Sequence, residues 1–272
     1  AMNGFFIHRM LIGHLAFHGF MLVPLLAWTA TSTMARADLR LPASWGGVVF
    51  GSLIVAYWVM SGMAVLLIPA LVCVLLLLGL HAMRGNPVKA SLVQTAVSVT
   101  AGLGLCISKV VASLAYVKQI PRDAYPLGGL PATWDALQFA LSSIFLGPES
   151  ISAITATELA TSRHEFEFSL TPVAALLIVS GGLLWVVRSV GRGKKIQGPG
   201  FWGLVTVFVS LLAIPVLLNT AYGPQWESLL KSIPIIKSSS TMLRWFCIYL
   251  PVTCMAAALC FDTITHQARL RR

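Results

Sequence analysis

Charge is what this sequence has least of. Asp, Glu, Lys and Arg make up 10% of its 272 residues, against about 25% in an ordinary soluble domain, so a water-facing globular surface is not its expected solution. Acidic side chains are the scarcer sign, nine against nineteen Lys and Arg. Nucleotide and acyl-transfer signatures are missing too: there is no P-loop, no GxSxG elbow and no dinucleotide GxGxxG after a strand. Gly102-Leu103-Gly104 sits in an apolar run and reads as helix packing. The five cysteines, Cys73, Cys106, Cys247, Cys254 and Cys260, form no CxxC pair and read as small buried hydrophobes rather than metal ligands. No nucleic-acid motif accompanies the net charge of +10, which excludes the reading such a charge first invites. No repeated half and no paired acids within apolar runs support a transporter. Residues 1–3 lack the basic start and small-residue cleavage site of a signal peptide.

What is there is apolar. Hydrophobic residues make up 57% of the chain, and the mean hydropathy is +0.83. About 20 such residues cross a hydrocarbon core of about 30 Å. Apolar runs at 10–31, 46–61, 63–82, 90–114, 170–188, 201–219 and 245–264 therefore predict an all-α, polytopic membrane bundle of about seven helices, with 1–272 as one transmembrane domain. The pair meeting at Ser61-Gly62 is short and predicts a hairpin that spans only in part.

Sidedness follows from the cations. Arg36, Arg40, Arg84, Lys89, Arg188, Arg192, Lys194, Lys195, Arg269, Arg271 and Arg272 fall on one side with Asp38 and Asp262 as the opposing acids, whereas basic and acidic residues balance on the other. Basic residues collect in the cytoplasm. The expected location is thus a bacterial inner membrane, with the C-terminus cytoplasmic and the loops 115–169 and 220–243 outside. Lys109 lies within an apolar run, and snorkelling to the nearby outer interface is its expected course. Helix 1 begins outside with no translocation signal before it, so the chain is expected to be the later portion of a longer protein.

Within 115–169, Trp134, Leu137, Leu141, Ile144 and Phe145 recur at helical spacing and predict an interfacial helix with that face toward the membrane. Further on, Glu165 and Glu167 alternate with Phe166 and Phe168, so an extended backbone sends carboxylates one way and rings the other. Glu165, Glu167 and His164, near Glu149, Glu158 and Arg163, are the weak candidates for acid–base work; the bland alternative is a solvated loop anchored by its phenylalanines. For an anionic lipid headgroup the candidates are Arg244, Arg122, Lys118 and Arg9, with Lys231 and Lys237 on the same side. Arg244 leads because it follows the hydroxyl run Ser238-Ser239-Ser240-Thr241, although an Arg-Trp interfacial anchor with Trp245 explains it equally. His14 and His18 share a helix face at i, i+4, with His8 further out. A metal or haem could use them, but there is no HExxH and no matched second pair, so bonds to neighbouring helices are the expectation. No cofactor is expected, and a divalent metal has no supporting ligand set.

Several short stretches together resemble a family. RMxxGH (Arg9 to His14) opens a helix; Gly46, Gly47, Ser61 and Gly62 mark a hairpin; KVVASLAYVKQIPR (Lys109 to Arg122) closes a helix; HEFEFSLTPVAALL (His164 to Leu177) opens another; and SIPIIKSSSTMLRWF (Ser232 to Phe246) precedes the last. In that order they resemble the later two-thirds of bacterial GT-C-type membrane glycosyltransferases and YfhO-like proteins. The resemblance implies transfer of a sugar from a polyprenyl-phosphate donor at the outer leaflet, with lipids and the lipid-linked donor as partners. It also implies a catalytic acid in the first large outer loop. Nothing here matches it: Asp38, the first acidic residue, falls on the cytoplasmic side, so that residue is expected in sequence beyond this chain, or lost. The competing expectation is a non-catalytic integral subunit of a larger membrane complex.

Overall fold

A computed structural model describes Met10, 15–31, 44–83, 88–117, Leu130, 132–146, Phe168, 170–191, Val216, Leu218, 224–233 and 242–270. Every regular element among these residues is helical. A 3₁₀ segment Leu15–Leu22 runs into α1 (Val23–Thr31), and α2 is Trp45–Met60. A second 3₁₀ segment, Met63–Leu66, leads into α3 (Leu67–Met83). Then come α4 (Lys89–Leu105), α5 (Ile107–Val117), α6 (Thr133–Phe145), α7 (Pro172–Gly191) and α8 (Pro224–Ser232). Finally a 3₁₀ segment, Met242–Ile248, continues as α9 (Tyr249–Leu270). The expected all-α class is what the chain adopts. The apolar run 201–219 lies outside the described residues except for Val216 and Leu218, which are helical.

Local chemistry sets the ends. Ser44 caps α2, its hydroxyl accepting from the Gly47 N–H at 3.1 Å, one of the donors a helix start leaves unpaired. α7 begins at Pro172, where a missing N–H costs nothing. Between α2 and the segment that follows it, Gly62 takes φ 86°, the left-handed conformation that suits glycine and lets the chain reverse.

The closest packing is between α2 and α4, which run parallel. Gly47 faces Gln94, Gly51 faces Ser98, and Gly102 faces Val55 and the Ser52 carbonyl. Small residues at i, i+4 let the backbones approach, and polar side chains then bond across or along the helices. Gln94 Nε2 donates to the Thr29 carbonyl at 2.6 Å, tying α4 to α1, and Ser52 Oγ donates to the Val48 carbonyl at 2.7 Å. α7 and α9 form a second close pair, with Gly181 against Cys260. α3 packs against both α1 and α9.

No single described helix is long and apolar enough to cross a membrane. Only α4 and α5 pass that test together, and they are bent by 71° at Cys106. Here the structure departs from the expected continuous helix over 90–114. Gly102 and Gly104 weaken the helix just before the break, Cys106 Sγ turns back to the Gly102 carbonyl at 3.0 Å, and Lys109 Nζ donates to the Met60 carbonyl at 2.6 Å. Lys109 thus ends on the last turn of α2, where a cation also meets the negative end of the helix dipole.

The buried core is mainly apolar and takes in a few uncharged polar side chains, while long apolar side chains are also exposed. Thr29, Ser52, Ser91, Gln94, Thr95, Ser98 and Ser143 are buried, while Val49, Leu53, Tyr57 and Met60 on α2 and Val173, Leu176, Val179, Leu183 and Val187 on α7 form exposed apolar stripes. All five cysteines are free; Cys73, Cys106 and Cys247 are buried as expected, Cys260 is half-buried, and Cys254 is exposed.

Candidate functional site

One end of the bundle gathers the groups with chemistry. Trp58, fully buried, donates its indole N–H to the Gly19 carbonyl at 2.6 Å. A Cβ on Gly19 would stand 2.9 Å from Met63 Sδ and 3.1 Å from Trp58, so glycine there lets the 3₁₀ segment 15–22 lie against α2. With Gly19 level with Trp58, Phe17 falls beside the end of α2. The His18 ring is hydrogen-bonded to the Tyr57 hydroxyl, with the two rings edge to face at 5.4 Å between centroids.

Arg244 arrives at this end from the segment that opens α9. It is half-buried, with Cζ 5.4 Å from the centroid of the Phe17 ring, within the range of a cation–π contact. Beneath it lies an aromatic cluster: Phe246 is 5.4 Å from Phe139, 6.3 Å from Phe168 and 5.9 Å from Tyr249, centroid to centroid. α6 joins through Phe139 and through the Leu170 N–H, which donates to the Ile144 carbonyl at 2.7 Å.

Of the four residues expected to hold a lipid phosphate, Arg244 alone lies within the described residues; Arg9, Lys118 and Arg122 lie outside them, as do Glu165, Glu167 and His164, together with His8, His14, Glu149, Glu158, Arg163 and Lys237. Phe168, the described ring of the alternating stretch, is fully buried. Lys231 pairs with Glu227 at 2.8 Å along α8. His18 meets Tyr57, and among the described residues no group of His, Cys, Asp or Glu could hold a metal ion.

Two expectations change. Trp245 is buried in the core, which removes half of the expected Arg-Trp interfacial anchor. α6 does form, but its packed face is Ala136, Phe139, Ala140, Ser143 and Ile144, while Trp134 and Leu141 are exposed. Ile144 therefore belongs to the bundle-facing side together with Phe139, whose ring meets Phe246 in a contact that spacing alone could not reveal.

Sequence reasoning did not select Phe17 or Tyr57 as parts of this end, because both sit inside apolar runs and carry no signal of their own. It sent Lys109 toward the outer interface but did not foresee its bond to the Met60 carbonyl, which depends on the break at Cys106. No protein-family model, no curated protein and no solved structure matches the chain.

Proposed function

We propose that the chain is a polytopic membrane protein of GT-C-like type, taking part in transfer of a sugar from a polyprenyl-phosphate-linked donor at the outer leaflet. Exposed apolar stripes support the membrane half of this reading: the Val and Leu side chains on α2 and α7 suit lipid, and the few buried Ser, Thr and Gln suit helix contacts within it. The observation that carries the functional half is Arg244, held against Phe17 where α9 begins. A guanidinium that rests on a ring by its face can present its N–H edge to an oxyanion.

In this reading Arg244 binds the donor phosphate and stabilises the charge that develops on it as the sugar departs. Arg9, Lys118 and Arg122 supply further cations. The acceptor hydroxyl loses its proton to Glu165, Glu167 or His164, or to a carboxylate beyond this chain.

The test is donor binding and turnover by the purified protein. Incubated with a polyprenyl-phosphate sugar it should release polyprenyl phosphate, and Arg244→Ala should weaken donor binding about tenfold or more, as expected for a charge-assisted bond. Unchanged donor binding after neutralising Arg244, Arg122 and Lys118 together ends the phosphate-site reading. Co-purification with partners in fixed stoichiometry, without turnover, replaces the transferase with a non-catalytic subunit.

A further inference from the structure

α5 is the element this function does not use, and it is the least covered by protein. Ile107, Val111, Leu114 and Tyr116 are all more than half exposed, and Ile107, Val110, Val111 and Leu114 recur at the spacing of one helix face. Ser108, Ala112 and Ser113 occupy the remainder.

Its position along the bundle follows from three contacts. α2 and α4 run parallel in register, Gly47 by Gln94, Gly51 by Ser98 and Val55 by Gly102. They have 16 and 17 residues, which at about 1.5 Å per residue makes each about 25 Å long, somewhat short of the hydrocarbon thickness of about 30 Å. Both stop together: α2 reverses at Ser61-Gly62, α4 breaks at Cys106, and Lys109 of α5 reaches the Met60 carbonyl. The 71° bend then sends α5 sideways, not onward. Phe17 and Arg244 lie at this same end. The sequence from Ile107 to Arg122 contains Lys109, Lys118 and Arg122 and no acidic residue.

We infer that α5 is an in-plane anchor that lies in the headgroup layer of an anionic bilayer, its Ile107, Val110, Val111 and Leu114 face in the acyl boundary, with Lys109 setting the angle. Amphipathic helices with basic character bind such surfaces by apolar burial together with attraction to anionic lipid. The inference rests on the membrane reading above. It adds a lipid partner that the donor site does not require, and it places Arg244 at the depth of lipid phosphates.

Depth measurement tests it in the full chain. Leu114→Cys and, as an independent second site, Val111→Cys are introduced with the five natural cysteines replaced by alanine, labelled with an environment-sensitive fluorophore and reconstituted in phosphatidylcholine vesicles with or without phosphatidylglycerol. Blue-shifted emission at both sites, quenched more by shallow than by deep nitroxide lipids and further shifted by phosphatidylglycerol, is the expected result. Stronger quenching by deep nitroxides shows a spanning helix and overturns the inference; no quenching by either shows a water-facing helix and does the same. Equal spectra in neutral and anionic vesicles overturn the assignment to anionic lipid. Alkaline carbonate extraction of the unmodified chain separates the two readings: a chain that stays with the membrane while α5 fails the depth test leaves the membrane reading intact, and a chain that is extracted removes both.

Discussion

The seam between α2 and α4 and the aromatic cluster around Phe246 are both buried, yet they are held by opposite means. Along the seam, glycines at 47, 51 and 102 bring backbones together, and Ser98 Oγ donates across it to the Val48 carbonyl at 3.4 Å. Around Phe246 the contacts are between rings, those of Phe139, Phe168 and Tyr249. The difference follows from what each region must do. Small residues on both helices of the seam let the backbones come close, so close contact and a side-chain bond across it hold it. The aromatic end joins three separate stretches of chain, α6, Phe168 and the start of α9, and large side chains are the means of bridging them.

Truncation should separate the two regions most sharply. Phe246→Ala removes contacts with three rings and should cost about 3–5 kcal/mol, read as a lower midpoint in thermal unfolding in detergent. A loss under about 1 kcal/mol would show that the cluster is loosely packed. Gly102→Ala tests the seam in the reverse sense, by adding atoms. Its Cβ would stand 2.6 Å from Val55 Cβ and 2.7 Å from the Ser52 carbonyl oxygen, so the helices must separate, at a cost of about 1–3 kcal/mol.

Smaller effects sharpen the comparison. Gln94→Leu keeps the volume and deletes the bond to the Thr29 carbonyl; interhelical hydrogen bonds of this kind are worth about 0.6 kcal/mol and at most about 1.7, and the same unfolding assay should register that loss. A change of similar size and opposite sign belongs to Gly104→Ala. Nothing lies within 4 Å of a Cβ there, so relief of glycine's flexibility should stabilise α4 by about 0.5–1 kcal/mol. Should Gly102→Ala and Gly104→Ala behave alike, the close approach of α2 and α4 would be wrong.

Much of the helical organisation was legible in the sequence. Apolar runs at 46–61 and 63–82 became Trp45–Met60 and the Met63–Leu66 and Leu67–Met83 segments because composition and punctuation at Ser61-Gly62 act locally. The position of Arg244 at the opening of the last helical stretch was legible as well. Its partner Phe17 was not, since 227 positions of chain separate them and an apolar residue in an apolar helix gives no sign of which neighbour it will touch. Ile144 was assigned to the wrong face of α6 for the same reason: spacing fixes which residues share a side, but the partner decides which side is buried.

By itself the sequence determined that this chain is helical, that its helices are apolar, and where most of them start and stop, because propensity, hydropathy and Gly/Pro punctuation act over a few residues. Tertiary structure alone decided that the fourth apolar run breaks at Cys106, that Lys109 closes the end of α2, and that Arg244 meets Phe17. Each of these depends on how closely two distant helices approach, and that distance is set by the glycines and rings on both of them together.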